Sequence, residues 1–281
     1  MDSLSSRVLG ASKETFGPVG FHCLDTNGAN ALILSGPRQG FRYVVTPNID
    51  HIVRLNSNVQ LRPFYASAWM SLNDSRLLQL LMRPLGVRLP LARGSDLVEQ
   101  LLPSIAQSNG SVAIVGSDEA VIAVLKAFYP DLTIQHYNPA MGFYEHPALI
   151  SDCVDFVRAA QADYTFFAVG SPQQEMLAYQ CLLDGRCRGV GLCVGAALRM
   201  LTGHEIRAPW LIRDAGLEWL FRVARDPKRL WRRYFLRDPQ VVILFVKEAW
   251  RRIRLGRSSA ESGAKVATGP STSSTTIERD G

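Results

Sequence analysis

The chain lacks most of the short signatures that would assign it a chemistry at sight. Its five cysteines, Cys23, Cys153, Cys181, Cys187 and Cys193, are odd in number and form no CxxC pair. Neither a disulfide framework nor a cysteine zinc site follows from that pattern, and a reducing compartment is implied. The five histidines, His22, His51, His136, His146 and His204, include no pair spaced to share one helical face, which argues against histidine metal ligation. There is no Walker A sequence and no DxD motif of the kind that holds a divalent ion on a sugar-nucleotide diphosphate. No apolar run approaches the ~20 residues needed to span a bilayer, and Met1 to Gly20 has no apolar core of signal-peptide length. These absences predict a cytoplasmic protein that needs no metal and no cofactor.

What is present is a globular composition of 281 residues, 47% hydrophobic and 20% charged, enough to bury a sizeable core. The net charge of +6 is unevenly placed, because basic residues crowd between Arg207 and Arg257. That end therefore expects an anionic partner, such as a phosphorylated substrate, an anionic membrane or nucleic acid.

The organising stretch runs from Phe166 to Glu175, Phe-Phe-Ala-Val-Gly-Ser-Pro-Gln-Gln-Glu. Tyr164 to Val169 is a short apolar run of the kind a covered parallel strand has. Gly170 can turn, Ser171 suits an N-cap, Pro172 suits the first helical position, and Gln174 stands where a capping box wants Glu or Gln. A helix is predicted from about Pro172. Its N-terminus at a strand end is a candidate nucleotide-side wall, since unpaired N–H groups there favour an anion. An ordinary βα turn fits the same residues.

Further strand–helix units precede and follow this one. Ala31–Leu34 and Phe41–Val45 read as strands, the second ending in Thr46-Pro47-Asn48-Ile49-Asp50, with Asn48 as the cap of a helix that carries Ile49, Ile52, Val53 and Leu55 on one face. Residues 66 to 72 read as a short strand that delivers Asn73-Asp74-Ser75 to a helix over 76 to 82. Val112–Gly116 and Gly189–Gly195 are two more buried strands, each followed by a helix. The glycines of Gly189-Val190-Gly191 lie within the strand and are wrongly spaced from Gly195 for a dinucleotide fingerprint. The repetition predicts a doubly wound α/β domain with a mostly parallel, Rossmann-like sheet over residues 25 to 206, after a flexible N-terminus of residues 1 to 24. Residues 207 to 257 lack strand signals and interleave aromatic and aliphatic residues with arginines, predicting a basic helical appendage whose last segment suits a membrane interface. The Ser/Thr/Gly-rich residues 258 to 281 predict a disordered tail.

Asp74 is the carboxylate of interest. Past a strand end and among polar neighbours, it is placed either as a general base for a bound hydroxyl or as the N-cap of the helix that follows.

Several ordered motifs resemble the WecG/TagA/CpsF glycosyltransferases (glycosyltransferase family 26) between about residues 41 and 235. They are Thr46-Pro47-Asn48 with Asp50, the Asp74 loop, Gly94-Ser95-Asp96-Leu97, Gly170 to Glu175, Val194-Gly195-Ala196-Ala197 with Gly203, Arg207-Ala208-Pro209-Trp210, and Gly216 to Trp219 through Arg222, Pro227, Arg229 and Arg232-Arg233-Tyr234. The resemblance implies a metal-free, inverting transfer of a sugar from a UDP-sugar, either UDP-glucose or a UDP-N-acetylmannosamine type, to the 4-hydroxyl of the first sugar on a polyprenyl diphosphate. It also implies a peripheral location on the inner face of the cell membrane and a role in exopolysaccharide or other cell-surface polysaccharide synthesis. In that reading Asp74 is the base, Thr46 and Asn48 line the sugar pocket, Gln174 faces the nucleotide-sugar, and Arg222, Arg229 and Arg232 close on the diphosphate. A free monomer would leave the appendage loose and the site half built, so homo-oligomers remain open. Three positions depart from the family's pattern: Ser75 stands where Gly is usual, Gln173 where Lys is common, and Leu198-Arg199 where Phe-Asp often stands. The competing readings are a peripheral membrane or nucleic-acid-binding scaffold without transferase activity, and an NAD-dependent oxidoreductase.

Overall fold

The computed structural model describes residues 11–36, 40–228 and 240–267. Six parallel strands form the central sheet: β3 (Phe41–Val45), β4 (Met70–Ser71), β5 (Ser111–Gly116), β6 (Thr133–Tyr137), β7 (Tyr164–Ala168) and β8 (Gly189–Cys193). Their order is β4-β3-β8-β7-β5-β6. This is the doubly wound, Rossmann-like α/β arrangement the strand–helix repetition predicts.

Both faces of the sheet are covered, which is why its strands read as continuous apolar runs. Alternate residues point to opposite sides. Tyr43, Val45, Val115, Phe167 and Cys193 enter one buried cluster, while Val44, Ile114, Phe166 and Leu192 enter the other. The first cluster is closed by α2 (Ile49–Ser57), α3 (Arg62–Ala66), α7 (Pro147–Ala160) and α8 (Gln173–Asp184), through residues such as Ile52, Tyr65, Val157 and Leu177. The second is closed by α1 (Thr26–Leu34), α5 (Gly94–Gln107), α6 (Glu119–Phe128) and α9 (Ala197–Leu201), through Ile33, Leu101, Leu125 and Leu198. Because α2 leaves β3 toward one face and α9 leaves β8 toward the other, a crevice opens at the carboxyl ends of these neighbouring strands. Ligands of open α/β sheets bind at such a switch point.

The in-strand glycines of β8 are packing devices. A Cβ on Gly191 would stand 2.6 Å from Cζ of Phe41 and 3.0 Å from Cε2 of Phe167, two rings that meet edge to face at a centroid distance of 6.4 Å. Gly189, at φ +79°, lets the chain pass against the carbonyl of Asp163, where a Cβ would come within 2.3 Å.

Three expectations need correction. Residues 31–34 are not a strand but the end of α1: Asp25 caps that helix by accepting from the N–H of Gly28 at 2.8 Å, and Ala29 and Ile33, one turn apart, are its buried face. The N-terminus is not loose throughout, since β1 (Lys13–Phe16) and β2 (Val19–His22) pair as an antiparallel hairpin around Gly17-Pro18. Phe16 and Phe21 are wholly buried, and His22 Nδ1 accepts from the N–H of Ser71, so the hairpin shields the β4 edge. Finally, the C-terminal helix runs Gln240–Ala267, into the stretch whose composition predicts disorder from Ser258 on.

The appendage is helical as expected, with α10 (Trp210–Asp214), α11 (Glu218–Arg225) and α12 (Gln240–Ala267). Val241 and Leu244 of α12 are buried, and Arg252 pairs with Glu14 of the hairpin at 3.0 Å. Residues 229–239 lie outside the described residues, and with them the predicted Arg229 and Arg232.

Candidate active site

Asp74 is placed by its neighbours in sequence. Beyond β4 the chain stays beside β3, with the N–H of Leu72 on the carbonyl of Val45 and that of Asp74 on Pro47. Asn73 is fully buried, accepts from the N–H of Ser75 and donates to the carbonyl of Pro90. Ser75 caps α4 (Arg76–Met82), its Oγ accepting from the N–H of Leu78 at 3.1 Å. The N-cap alternative for Asp74 is therefore wrong. The serine that stands where the family's pattern has glycine takes the capping role, and the Asp74 carboxylate is directed elsewhere.

It is directed to the N-terminus of α5. Asp74 Oδ1 accepts from the N–H of Gly94 at 3.0 Å. Burial pushes the carboxyl up to about 7, and the negative charge of Glu218 pushes the same way. Arg222, the Gly94 N–H and Arg93 act against them without cancelling them. A carboxyl tuned this way is half ionised near neutral pH, the condition a general base needs.

Two cavities meet at this residue. A polar one of 180 Å³ opens at the strand ends, bounded by Thr46 after β3, Ser171 and Gln174 after β7, and Gly195 and Ala196 after β8. An apolar one of 310 Å³ lies between α2, α4 and the appendage, walled by Ile49, Leu77, Trp219, Val241 and Val242. Asn48, Asp74, Glu218 and Arg222 line both. Of the seven residues singled out in the sequence, five (Thr46, Asn48, Asp74, Gln174 and Arg222) thus surround one polar cavity.

Their side chains are partly engaged. Asn48 caps α2 by accepting from the N–H of His51 at 3.3 Å. Thr46 Oγ1 stands 3.5 Å from the carbonyl of Cys193, and a Cβ on Gly94 would come within 3.2 Å of it. The glycine lets the start of α5 close against β3. Arg222 pairs with Glu218 at 2.8 Å, one helical turn away. Ser171 is not the cap of α8, which begins at Gln173; its Oγ meets Arg54 and the hydroxyl of Tyr65 instead. Arg199 pairs with Asp118 beyond β5 and does not line the polar cavity.

The appendage is fastened to the α/β body by an ion cluster centred on Asp96. Arg93 lies 3.4 Å from its carboxylate and Arg213 3.8 Å, Arg207 is in close contact, and Arg207 also reaches Glu99 and Ser95 Oγ. Arg76 adds a link to Asp214 at 3.1 Å. Among the described residues, no three His, Cys, Asp or Glu side chains cluster as metal ligands would.

The match that decides the family spans body and appendage alike: the model of the WecG/TagA/CpsF glycosyl transferase family aligns with residues 15–255. The chain belongs to the WecG/TagA/CpsF glycosyltransferase family. It is accordingly an enzyme that moves a glycosyl group from a nucleotide-sugar donor to an acceptor. The oxidoreductase and non-catalytic scaffold readings fall with that result. Among the described residues of the transferase, no helix is long and apolar enough to cross a membrane.

Sequence reasoning missed Glu218, Arg93 and Asp96 as neighbours of the site. Each carried a signal, since each sits in or beside a motif of the family resemblance, but a motif does not say which side chains face one another.

Proposed function

We propose that the polar cavity takes a UDP-sugar and the apolar cavity the first sugar and lipid end of a polyprenyl-diphosphate-linked acceptor, with transfer occurring across their shared wall. The observation that carries this reading is the position of Asp74, common to both cavities, with its carboxyl raised to about 7. Asp74 takes the proton of the acceptor 4-hydroxyl as its oxygen attacks the anomeric carbon. The UDP leaves from the opposite side, inverting that carbon. Arg222 of α11 supplies positive charge for the departing diphosphate, and Arg229 and Arg232 are assigned the same role from their motif; forked guanidinium donors match such oxygens.

The two cavities differ in chemistry as a nucleotide-sugar and a lipid-linked sugar do. One presents backbone and polar groups at strand ends, the other aliphatic and indole surface beneath the appendage. On α12, Val242, Ile243, Val246, Trp250 and Ile253 are exposed beside Lys247, Arg251 and Arg254. This mixture favours a peripheral site on the inner membrane face, where a polyprenyl acceptor is presented. The pathway class is exopolysaccharide or other cell-surface polysaccharide synthesis, with UDP-glucose or a UDP-N-acetylmannosamine type as donor.

The test is transfer from a panel of radiolabelled UDP-sugars to a polyprenyl-diphosphate monosaccharide in detergent, with EDTA present. Transfer from one donor, with inversion and insensitive to EDTA, is expected. Failure of every UDP-sugar on several such acceptors would overturn the assignment.

A further inference from the structure

The turn after β8 forms one wall of the polar cavity, and beside its backbone hydrogen bonds it is held by a side chain from the start of α8. Gly195 has φ +54°, a left-handed conformation, and its N–H donates to Gln174 Oε1 at 2.8 Å. The amide of Gln174 is committed at its other end too, with Nε2 donating to Glu175 Oε1 at 2.8 Å. Both side chains are buried, Glu175 completely. Only one orientation of the Gln174 amide works. If it turned over, Nε2 would face the Gly195 N–H and Oε1 would face a carboxyl oxygen, donor against donor and acceptor against acceptor. An acceptor-bearing side chain at position 175 therefore decides which way Gln174 points.

Two groups that line the polar cavity, Ser171 and Arg54, act on Glu175. Ser171 and Arg54 ease its buried charge, although burial still raises its carboxyl above the usual range. Arg54 in turn donates to the carbonyl of Ser171 at 3.0 Å and pairs with Asp50 at 2.7 Å. Contacts thus run from α2 through the β7–α8 turn to the β8–α9 turn, crossing the three strand ends that wall the polar cavity.

We propose that Glu175 is a positioning residue: by accepting from Gln174 Nε2 it aims Gln174 Oε1 at the Gly195 N–H and so sets the Gly195–Ala197 wall against which the nucleotide-sugar binds. The inference rests on reading the polar cavity as the donor site. Gln174 then shapes that site through Gly195 in addition to facing it.

Reversing the polarity of the pair tests the idea. Gln174→Glu places two carboxyl groups against each other and removes the donor that orients the side chain. The double variant Gln174→Glu/Glu175→Gln restores it, since Glu at 174 can accept from both Gly195 and the new amide at 175. Hydrogen exchange of a peptide covering residues 194–197 should be about tenfold faster in Gln174→Glu, where repulsion from Glu175 turns the new carboxylate away from the Gly195 N–H and costs about one ordinary hydrogen bond, and return to the wild-type rate in the double variant. UDP affinity, measured by calorimetry, should weaken by about tenfold and recover in parallel. If Gln174→Glu does not fold, Gln174→Met, which lacks the acceptor but keeps the shape, should show the same faster exchange. Unchanged exchange in the single variants, or a double variant no closer to wild type than Gln174→Glu, would overturn the proposal. Absence of UDP binding by the wild type would refute the donor-site reading instead, and the exchange result would still decide the role of Glu175.

Discussion

Asp74 and Gly94 are joined by a hydrogen bond of 3.0 Å from backbone nitrogen to carboxylate, linking the loop after β4 to the first turn of α5. That contact aims the carboxylate at the boundary of the two cavities. It also ties the proposed base to the element on which the appendage docks, because Asp96 lies in the same helical turn.

The raised carboxyl gives a pH dependence of definite sign. A base works ionised, so kcat/KM for transfer should rise as pH increases through about 7 and level off above it. Stability should move oppositely. With its folded value near 7 and its ordinary value at 3.8, Asp74 favours the folded state most fully below pH about 4, and this advantage is lost as pH rises to about 7. Asp74→Asn should therefore be more stable than the wild type at pH 8, by on the order of a few kcal/mol. Urea melts at pH 4 and pH 8 would check this, and equal stability differences at both would contradict it.

Asp96 receives three arginines, two of them from the start of the appendage. Replacing it with Ala leaves Arg93, Arg207 and Arg213 facing one another at a partly buried point. Asp96→Ala is expected to destabilise docking by about 1–3 kcal/mol, the range for losing hydrogen bonds to charged groups. Limited proteolysis should cut between residues 203 and 217 faster than in the wild type, with transfer reduced to match.

Gly191→Ala tests the packing explanation of the β8 glycines. The new methyl would press on the Phe41 and Phe167 rings, and a loss of about 1–3 kcal/mol is expected in thermal or chemical melts. A substitution without effect on stability would mean that the glycine serves some other purpose.

The exposed face of α12 predicts binding to anionic vesicles that weakens with salt. Trp250→Ala combined with Ile253→Ala should cut the bound fraction in a sedimentation assay several-fold, leaving UDP affinity unchanged. Vesicle binding indifferent to both the substitutions and salt would contradict the interfacial role of this helix.

How much of this was legible in the residues varies with the physics involved. The strands at 41–45, 111–116, 164–168 and 189–193 were readable because burial on both faces leaves apolar runs bounded by glycine or polar residues. Residues 31–34 misled because a short apolar quartet has no period of its own; the cap at Asp25, six residues upstream, was the stronger signal. The hairpin at 13–22 gave little strand signal because it opens on the charged pair Lys13-Glu14, with only Phe16, Val19 and Phe21 marking its inner side. At the site, strand-end logic pointed to the turns that carry Thr46, Asp74 and Gln174, while the roles of Thr46, Asn48, Gln174 and Arg222 came from the family resemblance. The partners that tune them could not be read the same way. Gly94 meets Asp74 across a β4–α5 connection, and Glu218 meets it from the appendage; such pairings exist only once the chain is folded. The capping box expected of Gln174 failed for a related reason, since Gly195 on a neighbouring strand end takes its oxygen.

The most direct test of the central claim measures sugar transfer and UDP binding side by side for the wild type and Asp74→Asn. If Asp74 is the base at the junction of donor and acceptor cavities, the variant should bind UDP with nearly wild-type affinity while its transfer rate falls by about 10²- to 10⁴-fold. A variant that transfers sugar at the wild-type rate, with the same rise through neutral pH, would show that the proton goes elsewhere.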